Sequence, residues 1–386
     1  MLRYISRRHA VKALLQAIRF NGKNSLAVKK LRECINREIL QQLLSTNTNE
    51  KEKSAAKRSI VLAEPKIEDG VVLKKGVLLI TFTHSFCSFL ASEQFESLNK
   101  RFLFILEPSW TGYADPDILL FCERAEHLVI QATDIDDRAL INSLYPEVKT
   151  IDIGASNWVN QEKFVEDKSV QKSIDLLYVA NNNPVKRVFR FIEVVREISS
   201  RVTNLKVVII CAGWGGSSKE VDNEIKRKKL ENIIELKDGL PQDELIRLYQ
   251  SSKASVLFSL KEGSNRVLFE SLSCNTPIFC IAENRGVNKS YVNESTGSLA
   301  FDSCCSSSLE QLLKEYKNYS PREWALANIS PKRTTDRLSS IIEKNYGELI
   351  SSNLKVKVNA PEVTLLNKRF EKFGSIEEIS QVGDAV

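Results

Sequence analysis

The chain has 386 residues, 42% of them apolar, and at roughly 150 residues per domain this is enough for two domains with an extension, which excludes a single small module. Lys and Arg number 55 against 49 Asp and Glu, a net charge of +6, which is too weak an excess at this length to mark a nucleic-acid binder. Eight scattered cysteines, none in a Cys-x-x-Cys pair, and only three histidines exclude zinc ligation of the usual spacing and suit reduced thiols in a cytosolic-type compartment.

The first 32 residues hold nine Lys and Arg and no acid, while Val11, Leu14, Leu15 and Ile18 recur on one helical face. This is a basic amphipathic helix, with three destinations open to it. Its stripe packs on the protein's own first domain, or it enters an anionic membrane surface, or it serves as an organelle-targeting peptide. A second helical pattern runs through Val28, Leu31, Ile35 and Ile39. No apolar run reaches the roughly 18 residues of a spanning helix, so the expected location is cytoplasmic, with peripheral contact at the inner membrane face under the second of those readings. Residues 45–58 are polar and aperiodic and read as a solvated linker, making 1–58 a basic helical extension.

From Ile60 the pattern changes. GVLLITF (76–82), RFLFILE (101–107) and HLVIQAT (127–133) are short apolar runs separated by helix-length segments, as expected of buried parallel strands. The first domain is placed at 59–168. A charged stretch at 160–173 reads as the hinge, and the second domain at 169–330 alternates strand and helix. Its strands are IDLLYVA (174–180), LKVVIICAG (205–213), NIIEL (232–236) and ASVLFSL (254–260), with helical patterns at 188–198 and 242–251. The fold class is α/β, with crossovers on both faces of the second sheet and ligands at the carboxyl ends of its strands. Ser330-Pro331 caps one more helix over 331–350, and 351–386 reads as a tail.

The segment KEGSNRVLFESLSCNTPIFC (261–280) carries the chemistry. It follows a strand, opens with Glu262-Gly263 and continues as a helix. Gly263 permits close backbone approach, and the amides of Ser264, Asn265 and Arg266 open a helix N-terminus suited to a diphosphate, with Arg266 adding charge. Glu270 lies two turns into that helix, so Glu262 and Glu270 together span a long ligand such as a nucleoside diphosphate sugar, whose vicinal hydroxyls donate to carboxylates.

This segment resembles the E-x7-E region of the family 4 retaining glycosyltransferases, whose GT-B fold has two facing Rossmann-like, doubly wound domains with a cleft between them. VVIICAGWGG (207–216), including Gly213, is similar to the family's strand and glycine-rich turn. LPQDELIRLYQSSKASVLFSLKEG (240–263) is similar to the helix and strand that lead into the motif, and IDIGASNWVNQEKF (151–164) to the segment that ends the first domain, with Gly154 in register. The resemblance implies that Glu262 contacts the transferred sugar and Glu270 the ribose. It places Lys186 on the lysine that neutralises the diphosphate. The family's partner arginine, five residues earlier, is here Asn181, a departure that Arg187 or Arg266 would have to compensate. Ser264-Asn265 also replaces a common aromatic and glycine pair, altering the pocket at the sugar.

In the first domain, THS (83–85) and EPSWTGYADPD (107–117) follow strands and read as loops at their carboxyl ends. His84 either orients a substrate hydroxyl, as a third catalytic candidate beside Glu262 and Lys186, or is an ordinary hydrogen-bonded histidine. Trp110 and Tyr113 either stack on a sugar ring or pack. Asp115-Pro116-Asp117 matches the Asp-x-Asp of metal-dependent transferases of another fold, but no metal site is expected. The resemblance implies a metal-independent glycosyltransferase with no cofactor beyond its nucleotide-sugar donor, a glycan or lipid-linked acceptor, and no nucleic-acid partner. The alternative is a GT-B protein that binds nucleotide or glycan with little or no turnover. A dinucleotide oxidoreductase would need a Gly-x-Gly-x-x-Gly turn after the first strand of either half, which the chain lacks.

Overall fold

A computed structural model of the chain describes residues 2–21, 25–108, 112, 114–211, 218–351, 353–358 and 371–384. The chain forms two units. One comprises Met1–Ala155, Thr334–Lys357 and Glu362–Val386, the other Ser156–Arg333 and Val358–Pro361.

The strands of the first unit are β1 (Ser59–Ala63), β2 (Lys66–Glu68), β3 (Val71–Lys74), β4 (Gly76–Thr81), β5 (Phe102–Glu107), β6 (Leu128–Gln131) and β7 (Lys149–Ile151). Its main sheet has the order β1-β4-β5-β6-β7, with β1 antiparallel and the others parallel, and β2 and β3 form a separate hairpin. The hairpin turns on Asp69 and Gly70, both at positive φ (49° and 76°), the twist-matched geometry that Asp-Gly favours. One sheet face packs on a cluster of phenylalanines. Phe95 stacks on Phe104 at 5.7 Å, and Phe121 meets Phe104 edge-on at 5.5 Å.

The N-terminal helices belong to this same core. The helices Leu2–Asn21 and Ser25–Cys34, the π-helical segment Ile35–Ile39 and the helix Leu40–Thr46 contribute Val11, Leu15, Ile18, Leu31, Ile35, Ile39 and Leu43 to it. At roughly 1.5–3 kcal/mol per buried aliphatic side chain, this outweighs exposure of the stripe. Of the three destinations, packing on the first domain is therefore the one observed, and the apolar stripe is not left for a bilayer. Arg32 donates to Leu144 O at 2.8 Å and Asn36 to Glu123 at 3.0 Å, fixing the register.

The expected linker is also ordered differently. Thr48 caps a helix over Asn49–Ala56 that buries Ala55 and Ala56, so 45–58 is an integral layer rather than a solvated spacer. The expected tail likewise returns to the first unit. Ser351 N donates to Lys75 O and Lys355 N to Leu62 O, both at 2.8 Å, and Ile376 and Ile379 are buried in the same core. Lys357 is buried there against Glu107, with Nζ 2.6 Å from Oε2, and burial pushes its ammonium pKa down.

The second unit carries β8 (Ile174–Ala180), β9 (Val207–Cys211), β10 (Ile234–Lys237), β11 (Ser252–Leu257), β12 (Ile278–Ile281) and β13 (Gly297–Ala300), in the order β10-β9-β8-β11-β12-β13 and all parallel. Alternate residues feed two cores. Leu176 and Tyr178 face one with Phe191 and Phe258, and Leu177 faces the other with Tyr249 and Leu272. The expected boundary at 168/169 falls instead at 155/156. Val159 and Phe164 pack into the second unit's core, so the charged 160–173 stretch is part of that unit and not the hinge.

Candidate functional site

The order in which successive strands are laid down in the second sheet reverses between β8 and β11, β9 and β10 lying on one side and β12 and β13 on the other, and loops diverging at such a point leave a crevice at the strands' carboxyl ends. The loop after β8 is wound tightly. Asn181 accepts from Asn183 N at 3.2 Å, and Asn183 accepts from Val185 N at 3.1 Å, starting a 3-10 turn over Pro184–Lys186. Arg187 follows at φ 60° and opens the helix Val188–Ser199. From below, the Tyr178 hydroxyl donates to Lys186 O. Leu260 N donates to Val185 O at 3.1 Å, tying this loop to the one after β11.

These contacts bring Lys186 and Glu262 together. The ammonium lies 2.7 and 2.8 Å from the two carboxylate oxygens, with Glu262 only 6% exposed and the Lys186 side chain 21%. Glu262 is in turn held by its own backbone, since its amide donates to Arg285 O at 2.8 Å. Gly286 sits at φ 95°, where an added Cβ would come 1.9 Å from Glu262 O.

The helix Arg266–Ser273 starts beside this pair. Asn265 is its N-cap, accepting from Leu268 N at 2.9 Å, which leaves the dipole and the amides ahead of Leu268 for an anion. Ser264 serves the loop rather than open solvent. Its Oγ accepts from Ser156 N at 2.7 Å, and its carbonyl accepts from Ser156 Oγ at 3.0 Å. Gly263 lies between them, partly buried.

Glu270 is buried. The Tyr249 hydroxyl donates to its Oε2 at 3.0 Å, and the exposed Arg266 pairs with its Oε1 at 2.9 Å. Burial raises its carboxyl pKa, and Arg266 and Tyr249 offset part of that. Arg266 is thereby committed to Glu270, and Arg187 to Asp302, which also binds Arg190. The Asp302 carboxyl, although burial opposes it, is held below its ordinary range by these two guanidiniums. Neither arginine is an idle substitute for the charge missing at Asn181.

His84 lies in the other unit, exposed in the first turn of the helix Thr83–Ala91. Trp110, Tyr113 and Gly213 lie outside the described residues. Asp115 is not a loop residue awaiting a cation but the N-cap of Pro116–Arg124, accepting from Asp117 N at 3.2 Å. Sequence reasoning missed Gly286, Tyr178, Tyr249, Ser156 and Asp302. The first four act on the named residues by packing and hydrogen bonding at separations from 8 residues, Tyr178 to Lys186, to 108, Ser156 to Ser264, that match no motif spacing. Asp302 is one acid among many.

Comparison with known proteins bears on this unit directly. Residues 159–326 match the model of the Glycosyl transferases group 1 family. The matched stretch contains Lys186, Glu262 and Glu270. No curated protein matches the chain by sequence. Among solved structures it is similar to the sucrose-phosphate synthase of Thermosynechococcus elongatus, at 12% identity and a TM-score of 0.54, over 69% of this chain and 73% of that one. It is similar also to HepE of Anabaena in complex with UDP and glucose, at 12% identity and a TM-score of 0.53, over 69% and 78%. A third likeness is to TarM of S. aureus with Fondaparinux, alpha-GlcNAc-glycerol and UDP, at 17% identity and a TM-score of 0.52, over 70% of this chain but only 55% of that one. At such identities the likeness shows the fold, α/β of the GT-B kind with a helical N-terminal region. No described helix is long and apolar enough to cross a membrane.

Proposed function

We propose that the protein is a retaining, family 4-type glycosyltransferase that moves a sugar from a nucleotide-sugar donor to a glycan or lipid-linked acceptor. The observation that carries this reading is the Lys186–Glu262 pair at the reversal point of the second sheet, beside the free end of the Arg266–Ser273 helix. The group 1 match across that region and the UDP complexes of structurally similar proteins support it.

In this reading the ammonium of Lys186 and the helix end face the diphosphate, Glu262 accepts from sugar hydroxyls, and Glu270 accepts from the ribose. At 2.7 Å and an effective dielectric near 20, the gross Lys186–Glu262 attraction is about 6 kcal/mol, much of it offset by desolvation. A diphosphate with its greater charge competes for the ammonium, freeing Glu262 for the sugar. As the nucleoside diphosphate departs, Lys186 and the helix dipole stabilise the growing negative charge. Attack by an acceptor hydroxyl on the same face needs no protein nucleophile, and the positive charge these groups provide lets the reaction proceed without a metal.

A panel of UDP-, GDP- and ADP-sugars, assayed for transfer and for slow hydrolysis, tests the proposal. One donor should turn over with retention at the anomeric carbon, and Lys186→Met and Glu262→Gln should each abolish most of that turnover. Inversion at that carbon, or unchanged rates in both variants, would refute it. Asn181, in the position the resemblance assigns to an arginine, favours a second reading, a protein that binds nucleotide or glycan without turnover. Donor binding with neither transfer nor hydrolysis would select that reading.

A further inference from the structure

The loops at the carboxyl ends of the second sheet bind one another in a ring, and Asp302 is the residue on which it closes. Asp302 opens the 3-10 turn Asp302–Cys304 after β13, and each of its four polar atoms is engaged. Its Oδ2 accepts from Arg187 Nη2 at 2.5 Å and its Oδ1 from Arg190 Nε at 3.0 Å. Its carbonyl accepts from Arg190 Nη2 at 3.2 Å, and its amide donates to the two Glu283 carboxylate oxygens at 3.1 and 3.2 Å. Glu283 belongs to the loop after β12, and the next two residues carry the ring on to the crevice. Asn284 is buried and donates from Nδ2 to Ser259 O at 2.6 Å, while Arg285 accepts from Glu262 N and donates to Leu260 O, both at 2.8 Å. In the other direction, Arg187 is the residue after Lys186 and holds φ at 60°. A left-handed conformation in a residue with a Cβ persists where its surroundings over-determine it, and the grip of Asp302 on the Arg187 guanidinium is such a constraint. Lys186 and Glu262 are thus reached from Asp302 along both arms of the ring, through Arg187 and through Glu283.

We propose that Asp302 is a positioning residue for the crevice, one that holds Arg187 against the loop after β12 and so sets the Lys186 ammonium opposite Glu262 without touching substrate. This rests on the reading of the Lys186–Glu262 pair as the donor site. Arg187 then contributes geometry to that site in place of charge.

The test is a double-mutant cycle on turnover with the donor that the panel identifies. Asp302→Ala should lower kcat about 100-fold, the loss expected when a reacting group is misplaced by ~1 Å. The donor KM should move less than about threefold, because the guanidiniums released by the substitution keep the crevice positive. Lys186→Met should remove most of the parent's turnover, but in the Asp302→Ala background it should remove less than about threefold more, since the ammonium is already out of place there. A residue that only stabilised the fold would leave the Lys186→Met loss at its full size. Asp302→Asn keeps the size of the side chain and a carbonyl acceptor, so it keeps the test open if the alanine variant misfolds, and it should show the same loss of coupling in smaller measure. Glu310→Ala removes an ion pair to Arg201 elsewhere in the same unit and should leave both kcat and the Lys186→Met effect as they are. Additive losses, an unchanged kcat or a rise in KM alone in the Asp302 variants would overturn the proposal and leave the donor-site reading standing. A parent chain that turns over no donor, or one in which Lys186→Met is harmless, would overturn that reading and the role of Asp302 with it.

Discussion

Gly286→Ala isolates the claim that the backbone position of Glu262 matters. The new Cβ would start 1.9 Å from Glu262 O and 2.9 Å from Glu262 C. Real contacts of this type stay beyond about 3 Å, so one backbone must yield by roughly 1 Å. The φ of 95° at position 286 adds about 1–2 kcal/mol of its own for a residue with a Cβ. The clash falls where Glu262 N donates to Arg285 O and Arg285 N to Leu260 O, both at 2.8 Å, so relieving it displaces the Glu262 backbone while the Glu262 side chain stays anchored on Lys186. A misplacement of ~1 Å corresponds to a loss of about 100-fold in kcat/KM, or roughly 2.7 kcal/mol of transition-state stabilisation. The assay is initial rates with the donor that the panel identifies, beside a thermal melt. Gly347→Ala is the control, because it has positive φ (54°) but nothing within 4 Å of an added Cβ, and so carries the backbone strain without the clash. Full activity per folded molecule in Gly286→Ala would refute the reasoning, whatever happened to the melt.

Other consequences follow from buried charge. Glu270 has a folded pKa above its unfolded value, so its ionisation removes stability as pH rises through that interval, and the penalty is complete above it. Glu270→Gln should therefore raise the melting temperature at neutral pH while weakening nucleotide binding, and a lower melting temperature would contradict this. Lys172 is pushed down from 10.5 to about 8 by burial. The folded state thus binds fewer protons than the unfolded between those values, and stability rises with pH across them. Lys172→Met should stabilise by about 1 kcal/mol or more at pH 7, near 2–4 °C, and flatten that rise, as melts at pH 7 and pH 10 would show. Deleting residues 1–32 removes Val11, Leu15, Ile18 and Leu31 from the first unit's core. The expected result is a lower melting temperature or insoluble protein, and an unchanged melt would show that the extension is dispensable.

What was legible in the sequence follows from where hydrophobicity decides the structure. IDLLYVA and ASVLFSL read as strands because a parallel strand covered on both faces is a continuous apolar run, and the strand–loop–helix at 254–273 placed Glu262 and Glu270 on the elements where they lie. The Asn49–Ala56 helix was hidden because only Ala55 and Ala56 are buried, although Thr48 followed by Glu50 and Glu52 is a helix-start signal. Asp69-Gly70 between KIE and VVLK is a hairpin signal that went unread. Lys357 could not be recognised as a core residue in a polar segment, since its burial depends on Glu107, 250 positions away. Gly286 was invisible for the same reason, because its need for a missing side chain arises only where residues 285–286 run beside Glu262.

The composition of the first unit from both chain ends sets an order of events during synthesis. Residues 156–333 are contiguous and are made before residues 334–357 of the first unit. The N-terminal portion, although translated first, waits for Leu338, Ile342, Ile376 and Ile379, all buried. Until those residues are made it exposes apolar surface, a state prone to aggregation and suited to chaperone capture. A chain cut short after residue 333 would therefore damage the unit whose larger part was made first.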